Sequence, residues 1–199
     1  MNAELNDALV PAWEDSVSAS QATFRTLLDA MASPGRICRL PMTSNTPAPF
    51  NAATTALCLS LADLDTPVWL DAHVRSNAVS SFLRFHCGCA LTDDPAQAVF
   101  AVLSSTENID FACFAQGSME YPDRSTTLFV QASGLREGAR YTLSGPGIRD
   151  TAELRVTGLS EHFSQAWRRN NAGFPLGVDL VFCCGDELVA LPRTTQILE

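Results

Sequence analysis

The stretch VDLVFCCGDELVAL (residues 178–191) carries two apolar runs around a Gly-Asp-Glu turn. Neither run alternates. A strand with one wet face alternates polar and apolar residues, whereas a strand covered on both faces reads as a continuous apolar run. The two runs therefore predict a closing hairpin of buried strands, over 178–184 and 187–191. The segment DRSTTLFVQASG (123–134) has the same continuous apolar centre. Buried strands need layers above and below them, so the rest of the chain must supply those layers.

Helical periodicity supplies them in the first half. In SASQATFRTLLDAMASPG, Ser18 or Ser20 is a candidate cap, and Phe24, Leu27, Leu28 and Met31 share a predicted inward face. Pro34 and Gly35 stop that helix. FNAATTALCLSLAD (50–63) predicts a second, buried helix, and SNAVSSFLRFHCG (76–88) a third, with Val79, Phe82, Leu83 and Phe85 facing in. TPVWLD (66–71) and QAVFAVLS (97–104) read as strands, and STENID as the cap of a short helix over DFACFAQG. Asp93 and Asp94 start a short turn or helix. GARYTLSGPG (138–147) and TAELRVTGL (151–159) alternate more cleanly and predict a hairpin, or adjacent strands, at the exposed side of the sheet. SEHFSQAWRRNNAGFP (160–175) predicts an amphipathic helix with Phe163, Ala166 and Trp167 inward. The expectation is one α/β domain over residues 1–199, a mixed sheet flanked by helices. Residues 1–15 and 42–49 are the expected mobile pieces.

Charge and composition remove several functions. The net charge is −9, against the positive surface that nucleic acids and anionic membranes select. No run reaches 18 apolar residues, and the first residues lack the pattern of a secretory leader, so a cytoplasmic chain is expected. All 13 basic residues are Arg. Without a lysine amine the chain can form neither a pyridoxal phosphate aldimine nor a Walker-A phosphate loop by itself. Any phosphate contact must come from Arg or backbone amides. The seven cysteines sit mostly in apolar text and read as small buried hydrophobes. HCGC (86–89) has the wrong spacing for a strong metal signal. His73, His86 and His162 are scattered, and no serine lies in a nucleophile elbow.

The candidate contact residues lie in three places. Arg36 and Arg39 follow the Ser33-Pro34-Gly35 turn, where two guanidiniums suit a phosphate or carboxylate; the competing reading is a helix end with solvated arginines. SGPGI (144–148) is either an anion-binding nest or a plain turn. WRRNNAGFPLGVD (167–179) offers Arg168 and Arg169 for anion contacts and Phe174-Pro175 as a flat apolar face, the competing reading being a helix end that feeds a buried strand, and PRTT (192–195) offers Arg193.

Phe24-Arg25 with AMASPG near the start, GPGI in the middle, and GFPLGVDLVF with LPRTT at the end resemble the PhnH family, a subunit of the bacterial carbon–phosphorus lyase machinery. The resemblance covers nearly the whole chain, and its closing stretch is the most specific part. It implies a fold like that of the pyridoxal-phosphate-dependent transferases, but without pyridoxal phosphate or any other cofactor. It implies a homodimer that joins PhnG, PhnI and PhnJ in a core complex. That complex is a transferase: with ATP as substrate it releases adenine and passes ribose triphosphate to methylphosphonate, giving α-D-ribose 1-methylphosphonate 5-triphosphate. The base-displacing chemistry is attributed mainly to PhnI, and the later radical cleavage to the subunit holding the iron–sulfur cluster. The resemblance carries no catalytic residue onto this chain. Arg36, Arg39, Arg168, Phe174, Pro175 and Arg193 stand as expected anion, cleft or interface residues. Two other readings remain: a dimer platform with no ligand site, and a stand-alone enzyme binding a phosphate-bearing ligand near Arg36 and Arg39.

Overall fold

A computed structural model describes residues 10–41, 43–107 and 109–198. In chain order the elements are α1 (Ser16–Ala32), β1 (Ile37–Arg39), α2 (Ala52–Leu61), β2 (Val68–Leu70), α3 (Asn77–Phe82), β3 (Leu91–Thr92), β4 (Phe100–Leu103), β5 (Thr127–Gln131), β6 (Ala139–Ser144), β7 (Ala152–Val156), α4 (Phe163–Ala172), β8 (Asp179–Cys184), β9 (Glu187–Leu191) and β10 (Gln196–Leu198). α3 continues into a wider π turn, Leu83–Cys87, and ends on Gly88. Short 3-10 turns sit at Pro95–Gln97, Phe111–Cys113 and Pro122–Arg124.

Seven strands form the main sheet in the order β1-β9-β8-β5-β4-β2-β3. β3, β2, β4, β5 and β8 run parallel; β9 is antiparallel to β8 and β1 antiparallel to β9. The expected mixed α/β sheet is present, and the closing hairpin pairs Leu180 with Leu191 and Cys184 with Glu187. Alternate residues of the apolar runs feed two separate cores. Phe129, Val181, Cys183, Leu188 and Ala190 pack with α1, α2 and α3 through Leu27, Ala30, Leu57 and Val79. Leu128, Val130, Leu180, Phe182, Val189 and Leu191 pack on the other face with Phe163 and Trp167 of α4. Both faces are covered, which is why the runs do not alternate.

The second face holds a correction. β6 and β7 do form the expected hairpin, but off the main sheet. They make a separate antiparallel sheet with β10, in the order β10-β6-β7. Leu143, Leu154, Val156 and Ile197 close that small sheet down onto the second core.

Two helix expectations also shift. α1 is capped by Asp15, whose carboxylate accepts from the Ser18 amide, so the helix starts before the serines expected as caps. Its buried stripe is Thr23, Leu27 and Ala30. Of the residues expected inward, Leu27 is buried and Met31 packs against the core, whereas Phe24 and Leu28 stay 46% and 50% exposed, so the inward face is turned away from those two. Phe85, expected inward, is 59% exposed, because at about 100° per residue it already lies more than a quarter turn away from the middle of the Val79, Phe82 and Leu83 stripe.

Residues 1–9 of the expected mobile start, and Met42 of the second such piece, lie outside the described residues. Trp13 packs into the core, and the Ser44 amide donates to Ala12 O at 2.9 Å. All seven cysteines are free thiols, and burial holds that of Cys183 up at about 12. No helix among the described residues is long and apolar enough to cross a membrane.

Candidate functional site

The stretches singled out in the sequence come together on the second face, where they hold one another. Ser144, just before the GPG turn, pairs with Gln196, just after PRTT. Gly147 sits at φ 81°, where an added Cβ would lie 2.1 Å from Ala32 O at the end of α1. Only glycine admits that approach in that conformation. The turn after α1 and the GPG turn are therefore packed against each other, with the Gly35 amide donating to Ala190 O at 3.3 Å and the Ile148 amide to Gly145 O at 3.1 Å.

The closing stretch is fastened the same way. Asn170, on α4, donates from Nδ2 to Val178 O and accepts from the Val178 amide, both at 2.9 Å. Gly177, at φ 125°, lets the chain pass beneath it, since a Cβ would sit 3.0 Å from Asn170 Oδ1. Asn171 Nδ2 donates to Arg193 O at 2.8 Å, and Trp167 Nε1 donates to Thr195 O at 2.8 Å. Three residues of α4 thus bind the two segments that flank the β8–β9 hairpin.

Arg193 completes that clasp. Its side chain and that of Asp179 are 13% and 12% exposed. Nε lies 3.2 Å from each Asp179 oxygen, Nη1 donates to Pro122 O at 2.8 Å, and Nη2 reaches Ser125 Oγ and Asp179. The Arg193 amide also donates to Asp179 Oδ1, at 2.7 Å. A guanidinium has five N–H donors. These contacts engage all three of its nitrogens inside the protein.

The other arginines are placed elsewhere. Arg39 pairs with Asp186 at 3.3 Å and Glu187 at 3.6 Å. Glu187 also accepts from Arg136 at 2.9 Å, and the Arg136 guanidinium holds its carboxyl below the usual range. Glu187 faces Cys184 at the end of β8, while Asp179 begins that strand. Five steps of about 3.3 Å put roughly 17 Å between them. Arg39 and Arg193 therefore do not share one anion. Arg36 is exposed beside β1, and Arg168 is exposed on α4. Phe174 is 59% exposed and joins Pro175 through a cis peptide bond.

One arrangement was not visible in the sequence. At the carboxyl end of β2, Asp71 reaches across to β4. Its Oδ1 accepts from the His73 and Val74 amides at 2.6 and 3.0 Å, and its Oδ2 from the Ser104 amide and hydroxyl at 2.6 and 2.8 Å. Burial alone would raise this carboxyl, but the bonds from Ser104, Val74 and His73 outweigh it and hold it below its ordinary value. A depressed folded value means the stabilisation is present above the ordinary carboxylate range and is lost as pH falls through the folded value. Asp71→Asn is expected to cost about 1–3 kcal/mol at neutral pH, since all four donors lose a charged acceptor and two of them then face an amide NH2 that cannot accept. The gap from the parent should narrow in acid. A gap that stays constant with pH in urea titrations would exclude the charge as its cause.

Residues 11–198 match the family described as bacterial phosphonate metabolism protein (PhnH). The chain belongs to the PhnH family. It is 38% identical over 187 residues to the alpha-D-ribose 1-methylphosphonate 5-triphosphate synthase subunit PhnH of Rhizobium meliloti (strain 1021), covering 94% of each chain. It is 32% identical over 178 residues to a protein of Stutzerimonas stutzeri named as the C-P lyase subunit protein HtxG, covering 89% of this chain and 85% of that one. Of the stretches that resemble PhnH, AMASPG, GPGI, GFPLGVDLVF and LPRTT take part in this clasp, whereas Phe24-Arg25 lies outside it on α1.

Proposed function

We propose that this chain is a supporting subunit of a carbon–phosphorus lyase core complex. The complex would pass ribose 5-triphosphate from ATP to methylphosphonate with release of adenine, in the cytoplasm, during phosphonate catabolism. The observation that carries this reading is the likeness to the Rhizobium meliloti subunit over 94% of both chains. On this reading the chain works as a homodimer beside PhnG, PhnI and PhnJ, on a transferase-like fold that uses no pyridoxal phosphate. The missing lysine fits, since the aldimine has no amine here.

The surface supports an assembly role. Val17, Phe24 and Leu28 form one exposed stripe along α1, at 66%, 46% and 50% exposure. Exposed apolar faces of this kind mark protein contacts. Phe174 presents a second apolar tip, on the opposite face of the sheet from α1. The clasp favours the platform reading over a stand-alone enzyme, because Arg193 and Arg39 are already paired within the chain. Arg36 and Arg168 are exposed arginines of the expected set to test for phosphate contact.

Co-purification with PhnG, PhnI and PhnJ tests the reading. Phe174→Ala should change stability by about 0.5 kcal/mol or less, as exposed side chains do, yet lower the yield of complex. Unchanged melting together with unchanged yield would remove Phe174 from the interface. Failure of the parent chain to join the three subunits would overturn the proposal. Turnover of ATP by the isolated chain would instead favour the stand-alone enzyme.

A further inference from the structure

The parallel strands run β3-β2-β4-β5-β8, so the chain leaves β2 toward one edge and then returns past it to β4. The connections also leave on opposite faces. α3 follows β2 and packs through Val79 and Leu83 in the helical core. The segment after β4 packs through Phe111 and Phe114 in the other core. Such a reversal opens a crevice outside the carboxyl ends of the two strands, and open α/β sheets bind ligands there.

The crevice is present, with a volume of about 500 Å³. That lies within the range of small-molecule sites, roughly 300–1,000 Å³. Trp69 and Phe114 meet edge to face at 5.6 Å and, with Leu103 and Ile109, give it apolar walls. Its carboxylates are Asp71, Glu107 and Asp110; the His73 imidazole lies 3.9 Å from Asp71, and no arginine lines it among the described residues. Asp71 is saturated by the four bonds that tie β2 to β4. Asp110 accepts the Ala112 amide on Oδ1, which leaves its second oxygen for a ligand. Burial, and then the Asp110 charge, push the Cys113 thiol up, as a negative local field would.

We infer that this crevice binds a flat heterocyclic amine, its ring on the Trp69 wall and its amino donors on Asp110, and that it rejects phosphate-bearing forms of the same ring. The ring buries against apolar surface, and the carboxylate accepts from N–H groups. A phosphate would face three carboxylates, offset by no guanidinium and only by the exposed His73 imidazole, which already lies beside Asp71. This inference stands on the crevice alone and is independent of the assembly reading.

Tryptophan fluorescence of the full chain tests it, with adenine as the probe. Trp13 and Trp167 are buried, so Trp69 is the ring a ligand can reach. Adenine should quench saturably, and Trp69→Phe should abolish the signal. Asp110→Asn keeps the oxygen that caps Ala112 and removes the charge; it should weaken adenine about tenfold, as expected for a hydrogen bond to a charged group. AMP should bind several-fold more weakly than adenine. No saturable quenching, equal affinity in Asp110→Asn, or tighter binding of AMP would each overturn the inference.

Discussion

Arg193→Ala is expected to destabilise the chain by about 3–5 kcal/mol, the usual loss when one partner of a buried ion pair is removed. For a domain of this length that lowers the melting midpoint by roughly 6–20 °C. The loss comes less from the missing attraction than from what is left behind. Asp179, 12% exposed, is left without its partner, and Pro122 O and Ser125 Oγ lose a donor. Exchanging both members, Asp179→Leu with Arg193→Met, should recover part of the loss, because no buried charge is then unpaired. It should not recover all of it, because Pro122 O stays unsatisfied. An anion-binding Arg193 makes the opposite prediction: Arg193→Ala would keep its midpoint and lose affinity for triphosphate. Urea unfolding beside ATP calorimetry separates the two, and a midpoint shift below about 1 °C would exclude the buried-pair account.

The central sheet was legible because burial writes itself into consecutive residues. Leu180, Val181 and Phe182 are all apolar since each face of the sheet has its own core. β10 was not legible. Only Ile197 of its three residues is buried, and one apolar position carries no period. The phase of α1 was ambiguous for a related reason. The sets Thr23/Leu27/Ala30 and Phe24/Leu28/Met31 have identical spacing and lie one residue apart. Tertiary packing chose the less apolar set, leaving Phe24 and Leu28 outward.

The site was harder to read than the fold. An arginine in sequence shows its charge but not whether a carboxylate already holds it. Arg193 and Arg36 both follow proline-containing turns, yet one is buried on Asp179 and the other is exposed. Asp71 looked like an ordinary residue after a short strand. Its bonds to Ser104 exist because β2 and β4 are neighbours, and strand order leaves no mark on local periodicity. The same holds for the crevice, which is a property of the chain reversal.

Trp167→Ala should be about as costly as Arg193→Ala, for a different reason. The ring is fully buried, stacks on Phe163 at 6.5 Å and meets Phe111 edge-on at 6.1 Å. Truncating a buried aromatic costs about 3–5 kcal/mol through lost transfer energy and the cavity it leaves. Its Nε1 also holds Thr195 O, so the segment before β10 loses one of its ties to α4 and keeps those from Asn171. Trp167→Phe keeps most of the packing and leaves that carbonyl without its donor, at about 1–3 kcal/mol. Chemical denaturation should therefore rank the parent above Trp167→Phe, and Trp167→Phe above Trp167→Ala. Equal losses for the two variants would mean that the hydrogen bond, not the ring, carries the site. The pair also tests what the family motifs are for. If they form an internal clasp, complex yield per folded molecule should stay near that of the parent for Trp167→Phe. A yield that falls while the protein stays folded would place this corner of the molecule at a subunit contact instead.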